Sequence, residues 1–420
     1  MPYIDLRQAP ILQIIPGDTS DHPRLHEITA DVRRHIVFLI RKNPATVGGI
    51  QTHNARLYSA LSSNFDIERI GWNGPEWGVP FYFPLFYYRA TRNGAGLVYC
   101  DDAVTSLIGS RIRAGSGKIV VATAHGLDVI LPIPWYQKKL RKSLAAMDQI
   151  FCVSRATAER VKERGGRPDR IEVIPGAVEK NPIRLPRNDE LFRDIEKMLG
   201  ADLRGKKVLI SVGRSVRRKG FDRFISEIFC HLPNDYIYIV ISPKSTTPPW
   251  IQALRPLMSP SLYHNLLLAS GAYSMHDDLV RQSSRNPRVF YLNNVSAHQR
   301  NMLLSAADLF IMPNRTVEGD MEGFGLVALE AASRGLPVIA TGIEGITDAV
   351  IDGQNGYCIA ENDNKGFIDA ITGLMIDPPR LQELSLRAAE FTCSNFSQER
   401  IFGRYRQVFE RLLSSTRRPV

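Results

Sequence analysis

Two glutamates eight positions apart, Glu322 and Glu330, bracket the start of EGFGLVALEAASRGLPVIATGIEG, the stretch with the densest chemistry in the chain. The first follows an apolar run, Asp308 to Asn314, and an acidic loop, Val317 to Met321. The second falls in a helical segment that Gly335 and Pro337 end, and the apolar PVIAT comes next. The spacing predicts a strand, loop, helix, strand unit. A helix starting there leaves the N–H groups of Phe324, Gly325 and Leu326 without intrahelical partners, and such groups suit an anion. Glu330 lies among Leu326, Val327, Leu329 and Ala331, where a carboxylate needs a polar partner. A histidine, His125, follows the apolar run KIVVATA. That places it at the carboxyl end of a strand, where open α/β sheets bind ligands.

Continuous apolar runs supply the strands that must hold these groups. They are His35 to Ile40, Gly96 to Cys100, Lys118 to Ala124 and Asp148 to Val153 in the first part of the chain. Lys206 to Arg214, Tyr236 to Ser242 and Arg288 to Ser296 join the 308–314 run in the second. Runs of this kind are typical of parallel strands buried on both faces. Gly48 and Gly49 read as a tight turn opening a helix, where backbone can approach a ligand closely. His53, on the first turn of that helix, faces either the cleft or solvent, and solvent is the expectation. Ser154 is placed to cap a helix. The aromatic stretch Trp72 to Arg89 reads either as an acceptor- or lipid-contacting patch or as core beneath a loop, and core is the expectation. Residues 180–204, charged and holding Pro182 and Pro186, are the linker candidate. Gln398 to Leu413 has a helical apolar face of Ile401, Phe402, Tyr405, Val408, Phe409 and Leu412.

A chain of 420 residues is too long for one ordinary core, so two domains are expected. Hydrophobic content of 44% and charged content of 23% are those of a soluble globular protein. No apolar run is long enough to cross a membrane, and the N-terminal residues do not read as a signal peptide, so a cytoplasmic location is expected. The five cysteines are scattered without a C-x-x-C pair, which excludes a disulfide frame or a thiolate zinc site. The net charge of +10 is uneven: up to residue 180 there are 24 Lys and Arg against 17 Asp and Glu, and beyond it 29 against 26. A basic first half, with Lys138, Lys139, Arg141 and Lys142 in one short segment, suits an anionic membrane surface or a phosphate-bearing acceptor. No zinc-finger, KH or RNP pattern points to nucleic acid.

The Glu322–Glu330 stretch, with Phe324-Gly325-Leu326 between, resembles the signature of the retaining glycosyltransferases of family 4 (glycosyl transferases group 1). The resemblance runs over about residues 35–415, in the order the family has its motifs. It implies an α/β chain of the GT-B fold, two Rossmann-like domains facing across a cleft. Residues 1–180 would form the acceptor domain and 181–396 the nucleotide-sugar domain, with a helix from about 397 to 420 packing back on the first. Arg214 and Lys219 resemble the paired cations that hold the donor diphosphate. Two phosphates need counter-charge, most of all as the leaving group departs, and Arg offers a fork where Lys offers a point charge. By the same resemblance Glu330 takes the ribose hydroxyls and Glu322 the hydroxyls of the transferred hexose. Gly49 would lie near the donor phosphate or the acceptor, and His125 beside the sugar.

The implied activity is retaining transfer of a hexose from a UDP-, GDP- or ADP-sugar to a saccharide or lipid-linked acceptor, in envelope polysaccharide, lipopolysaccharide or glycoconjugate synthesis. The leaving phosphate would help deprotonate the acceptor, with no protein nucleophile. No D-x-D pair is present, and the cations already answer the diphosphate, so no metal or other cofactor is expected. The alternative is an inactive sugar-nucleotide-binding or scaffold protein of the same fold. Two departures from the pattern stand out: Gly176-Ala177 replaces the usual asparagine-glycine, and residues 243–287 lack the usual glycine turn. No role is assigned to those residues or to 1–34.

Overall fold

The computed structural model describes residues 35–41, 48–71, 79–92, 94–180, 182, 185–243, 249–259, 263, 266–267 and 275–415. Its frame is two six-stranded sheets, and every strand pair in both is parallel. The first sheet comprises β1 (His35–Ile40), β2 (Asp66–Gly71), β3 (Leu97–Cys100), β4 (Ile119–Ala124), β5 (Gln149–Cys152) and β6 (Ile171–Val173), in the order 2-1-3-4-5-6. The second comprises β7 (Lys207–Val212), β8 (Tyr236–Ile241), β9 (Val289–Leu292), β10 (Leu309–Met312), β11 (Val338–Thr341) and β12 (Gly356–Ile359), in the order 12-11-10-7-8-9. Strand order reverses at β1/β3 in the first sheet and at β7/β10 in the second. Ligands of open α/β sheets bind beyond the carboxyl ends of the strands at such reversals.

Both faces of each sheet are covered, as unbroken apolar strands require. On the first sheet, Val37, Leu39, Val98, Val120 and Ile150 face one layer. It includes α2 (Val79–Arg92), α3 (Ser106–Ser116) and α4 (Pro134–Ala146), which follow α1 (Gly49–Leu61) in the chain. Ile36, Phe38, Tyr99, Val121 and Phe151 alternate with them and face the other layer. That second layer is α1 and the last helix, which supplies Ile401, Phe402, Tyr405, Val408, Phe409 and Leu413. The apolar face read from the sequence is therefore buried, although Leu412 is only partly so.

Several readings need correction. The 180–204 segment is linker only in its first part. Asn188 caps a helix, Asp189–Leu199, whose Leu191 and Ile195 join the second sheet's core. The aromatic stretch is not loop core. From Val79 it is helix α2, with Pro84 inside it, Phe86 buried and Leu85 and Tyr88 exposed. Residues 72–78 lie outside the described residues, as do 1–34 and much of 243–287. Neither β12, in the turn-rich segment after residue 350, nor β2, whose sequence DIERIG is half charged and gave no strand pattern, was expected.

Two chain crossings join the halves. Val178 donates its N–H to the Phe396 carbonyl (2.8 Å), and its own carbonyl accepts from Gln398 N–H (3.1 Å). Around them Val153, Val178, Phe324, Leu329, Ala349 and Phe396 form a small apolar core shared by both halves.

Candidate active site

The loop after β7 turns tightly at Arg217–Lys219, and Gly220 ends the turn in the left-handed region (φ 64°). This drops Arg218 and Lys219 inward; both are buried. The loop after β10, next to β7 in the sheet, brings Asn314, Asp320 and Glu322 to meet them. Lys219 Nζ lies 2.5 Å from Glu322 Oε2, Asn314 Nδ2 donates to the same oxygen at 3.0 Å, and Arg218 Nε stands 3.5 Å away. Arg218 Nη1 is 3.5 Å from Asp320 Oδ2. Glu322 is 12% exposed at its side chain. Burial alone would push its carboxyl up, but Lys219 and Arg218, with the bonds from Lys219 and Asn314, hold it down at about 2. Glu322 is therefore a buried, ionised acceptor at neutral pH.

Glu344, in the loop after β11, accepts the Glu322 N–H at 2.5 Å. Its carboxyl is pushed up to about 7 by burial, with the charges of Glu322 and Asp320 adding to it. Arg214 lies close enough to Lys219 to act on its charge.

Glu330 sits on a seven-residue helix, Leu326–Ala332. The polar partner its apolar setting demanded is a pair of guanidinium groups. Arg56 Nη2 of α1 reaches Oε1 at 3.2 Å, and Arg300 Nη2 reaches Oε2 at 2.5 Å. Burial raises the Glu330 carboxyl, but Arg300 and Arg56 outweigh it and the net shift is downward. The Arg56–Glu330 pair spans the two halves, and Arg56 also donates to the Ala177 carbonyl at 3.0 Å.

Phe324, Gly325 and Leu326 do stand at that helix's start. Gly325 is left-handed (φ 92°), and the Phe324 ring packs in the shared apolar core, 6.2 Å from Phe396.

His125 ends β4, as expected. Its N–H donates to Asp128 Oδ1 (2.9 Å), and its Nε2 lies 3.0 Å from the Asp101 carbonyl. A carbonyl only accepts, so Nε2 carries the proton in that bond and Nδ1 is the nitrogen left for another partner. Its ring meets His53 edge-on, with centroids 5.5 Å apart. His53 is not exposed: it is 4% accessible, packed against Phe402 and Tyr405 of the terminal helix. Burial, then the charges of His125 and Arg56, push its pKa down to about 3, so it is neutral. The helix that closes the first domain hides the face on which His53 lies, and α1 alone does not reveal that cover.

Buried Asp101 and Asp102 end β3; Arg41 Nε pairs with Asp102 at 2.5 Å, and Asn54 Nδ2 donates to Asp101 at 3.2 Å. Gly49 stands apart, exposed on the first turn of α1, and a side chain added there would meet open space.

The two halves close directly on one another. A Cβ added at Gly323 would fall 1.8 Å from the His125 carbonyl oxygen, so only glycine permits this approach. Thr157 Oγ1 reaches the Gly323 carbonyl at 3.4 Å, and Arg155 Nε pairs with Asp348 at 2.7 Å. His125 and Glu322, from different sheets, thereby become neighbours. Arg56, Arg218, Arg300, Asp320 and Glu344 escaped the sequence reading. Arg218 adjoins Lys219 in a cation-rich loop where nothing local marks it for burial, and Arg56 meets Glu330 across 274 positions, which no local pattern records.

Two facing parallel α/β units, with charged groups gathered at the strand-order reversals, have the GT-B glycosyltransferase architecture. The family comparisons agree. Residues 53–181 match the Glycosyltransferase Family 4 model and residues 261–391 the Glycosyl transferases group 1 model. A GDP-mannose-dependent alpha-(1-6)-phosphatidylinositol monomannoside mannosyltransferase of Mycolicibacterium smegmatis is 26% identical over 302 residues, covering 70% of each chain. The lipopolysaccharide core biosynthesis mannosyltransferase LpsB of Rhizobium meliloti is 28% identical over 225 residues, covering 52% of this chain and 56% of that one. Among solved structures, sucrose-phosphate synthase from Thermosynechococcus elongatus superposes with a TM-score of 0.71 at 18% identity, covering 91% of this chain and 100% of that one. Anabaena HepE, in complex with UDP and glucose, superposes with a TM-score of 0.67 at 17% identity, covering 90% and 99%. The chain belongs to the group 1 / family 4 glycosyltransferases and is a transferase enzyme. Among the described residues, no helix is long and apolar enough to cross a membrane.

Proposed function

We propose that the protein transfers a hexose from a nucleoside-diphosphate sugar to a hydroxyl of a saccharide or lipid-linked acceptor, with retention of anomeric configuration. The observation that carries this reading is the buried, ionised Glu322, held by Lys219 beside the backbone of His125 where the two halves meet. Glu322 accepts hydroxyls of the sugar, and the His125 imidazole offers Nδ1 to the same ring. Lys219 and Arg214 neutralise the diphosphate as it leaves, which concentrates stabilisation where charge develops. Glu330 accepts from the ribose, sharing or exchanging its present guanidinium partners. With the diphosphate answered by side-chain cations, the reaction is read as metal-independent.

The first half would take the acceptor. Trp135 (59% exposed), with Lys139 Nζ 5.3 Å from its ring centre and Lys138, Arg141 and Lys142 exposed beside it, forms an amphipathic face suited to an anionic membrane. This supports a lipid-linked acceptor in cell-envelope glycoconjugate assembly.

The test is release of nucleoside diphosphate from UDP-glucose, GDP-mannose and ADP-glucose in the presence of membrane lipid extract, with the anomeric product read by NMR. An inactive binder would show protection from heat by a nucleotide with no release. An inverted product would remove the retaining assignment.

A further inference from the structure

We propose that Glu344 is a specificity-determining residue of the donor-sugar pocket, and that with Arg218 and Asp320 it selects an uncharged hexose over one bearing a carboxylate. This rests on the donor-site reading above and adds what that site discriminates against.

Two observations place Glu344 in the pocket. Its carboxylate accepts the N–H of Glu322 itself, at 2.5 Å. It does so from a left-handed backbone (φ 49°). Among the described residues, the two other non-glycine residues in that region are Asn294 and Asn362, and asparagine tolerates it where glutamate rarely does. Such a conformation persists where the surroundings impose it.

Around the same carboxylates, polar atoms are buried without hydrogen bonds: Nε and Nη1 of Arg218, which stand 3.5 Å from Glu322 and Asp320 as ion pairs only, Oδ1 of Asp320 and Oδ1 of Asn314. The Arg218 and Asp320 side chains are only 10% and 7% exposed, and Asn314 is 1% exposed. Buried polar groups are paired in the large majority of cases. Two donors and two acceptors grouped around Glu322 match a ring that offers alternating hydroxyls, each able to donate and accept.

The charge balance then sets the class of sugar. Arg218 and Lys219 face the carboxylates of Asp320 and Glu322, two cations against two anions. Glu344 adds a third carboxyl, half-ionised near neutrality because burial and the Glu322 charge raise its pKa to about 7. A uronate would bring a further anion to a site whose two cations already face carboxylates. A buried charge without a partner is strongly disfavoured. A neutral hexose brings no such conflict.

The experiment compares binding by the full chain, in calorimetry, of UDP, UDP-glucose and UDP-glucuronate, and of GDP, GDP-mannose and GDP-mannuronate. Wild type is expected to bind the neutral sugar nucleotide at least about tenfold more tightly than its uronate. Glu344→Gly should close most of that gap and leave nucleoside-diphosphate affinity within about twofold. Glycine accepts φ 49° without strain but removes the acceptor of the Glu322 N–H, so a small fall in melting point is expected, and Glu344→Gln separates the effect on discrimination from misfolding. Glu344→Gln, which keeps an acceptor for the Glu322 N–H but loses the charge, should also close the gap. An unchanged gap in both variants, or a wild type that prefers the uronate, overturns the proposal. If Glu322→Gln abolishes the preference for sugar nucleotide over nucleoside diphosphate and Glu344→Gly leaves discrimination intact, only the present inference falls. If wild type binds none of the six and no ADP-glucose either, the donor-site reading beneath it falls as well.

Discussion

Replacing Lys219 by methionine tests the electrostatic logic of the site. Lys219 and Glu322 meet at 2.5 Å with side-chain exposures of 8% and 12%. Removing one partner of a buried ion pair costs about 3–5 kcal/mol, because the other charge is left uncompensated. Here Asn314 at 3.0 Å and Arg218 at 3.5 Å stay beside Glu322, so the lower end, about 3 kcal/mol, is expected. A domain of this size shifts its melting point by roughly 2–4 °C per kcal/mol, which converts to about 6–12 °C for the second half of the chain. Scanning calorimetry of Lys219→Met, Glu322→Gln and the double variant completes a cycle. The double variant buries neither charge and should recover part of the loss, with a coupling of about 1–3 kcal/mol. Turnover of the donor should fall by at least about tenfold in Lys219→Met, since charge stabilisation in the transition state is lost with it. A melting shift below about 2 °C, or a double variant as unstable as the two losses added, would refute the claim that these groups form a mutually dependent buried pair.

Three further outcomes follow from the same geometry. Gly323→Ala puts a methyl against the His125 carbonyl, so small-angle scattering should show the halves further apart and turnover should collapse; a native scattering curve would mean that contact is dispensable. The two acids of the site act on stability in opposite pH windows. Glu344, raised from 4.5 to about 7, binds its proton more tightly in the folded protein, so its stabilisation is complete below pH 4.5 and lost as pH rises through 7. Glu322, lowered to about 2, contributes stability above pH 4.5 that is lost only as pH falls toward 2. The melting point of wild type relative to Glu344→Gln should therefore decline between pH 5 and 8, and a difference that rises with pH would contradict the assignment. Finally, treatment with EDTA should leave turnover unchanged; loss restored by magnesium would refute a metal-independent reaction.

The parallel sheets were legible because a strand buried on both faces must be apolar without interruption, and runs such as YIYIVI have few other uses. His125, Lys219 and Glu322 were legible because each stands at a strand end or turn whose location those runs determine. Strand β2 was hidden by its polar sequence, which an edge position tolerates. The remaining misses share a different cause. His53 looked like a surface residue on its own helix until Tyr405, 352 residues later, covered it. Arg56 is an ordinary helical arginine until the fold sets Glu330 against it. Glu344 lies in a loop with no periodicity, and only its left-handed backbone and its bond to Glu322 mark it out. Partners far apart in sequence are products of the closed arrangement of the two halves, and local pattern carries no trace of them.

The last helix has a consequence for how the chain is made. One face of the first sheet, with Phe38, Tyr99 and Phe151, is roofed by Tyr405 and Phe409. A ribosome delivers those strands hundreds of residues before their cover. During synthesis that half must wait, with aromatic surface open to water, until the other has been built and the chain has crossed back beside Val178. Contacts of such long sequence separation form late and slowly. The half that is born first is therefore the last to be finished. A nascent chain halted near residue 395 should hold a completed second sheet beside an unfinished first one, and a chaperone that shields aromatic surface would find its substrate there.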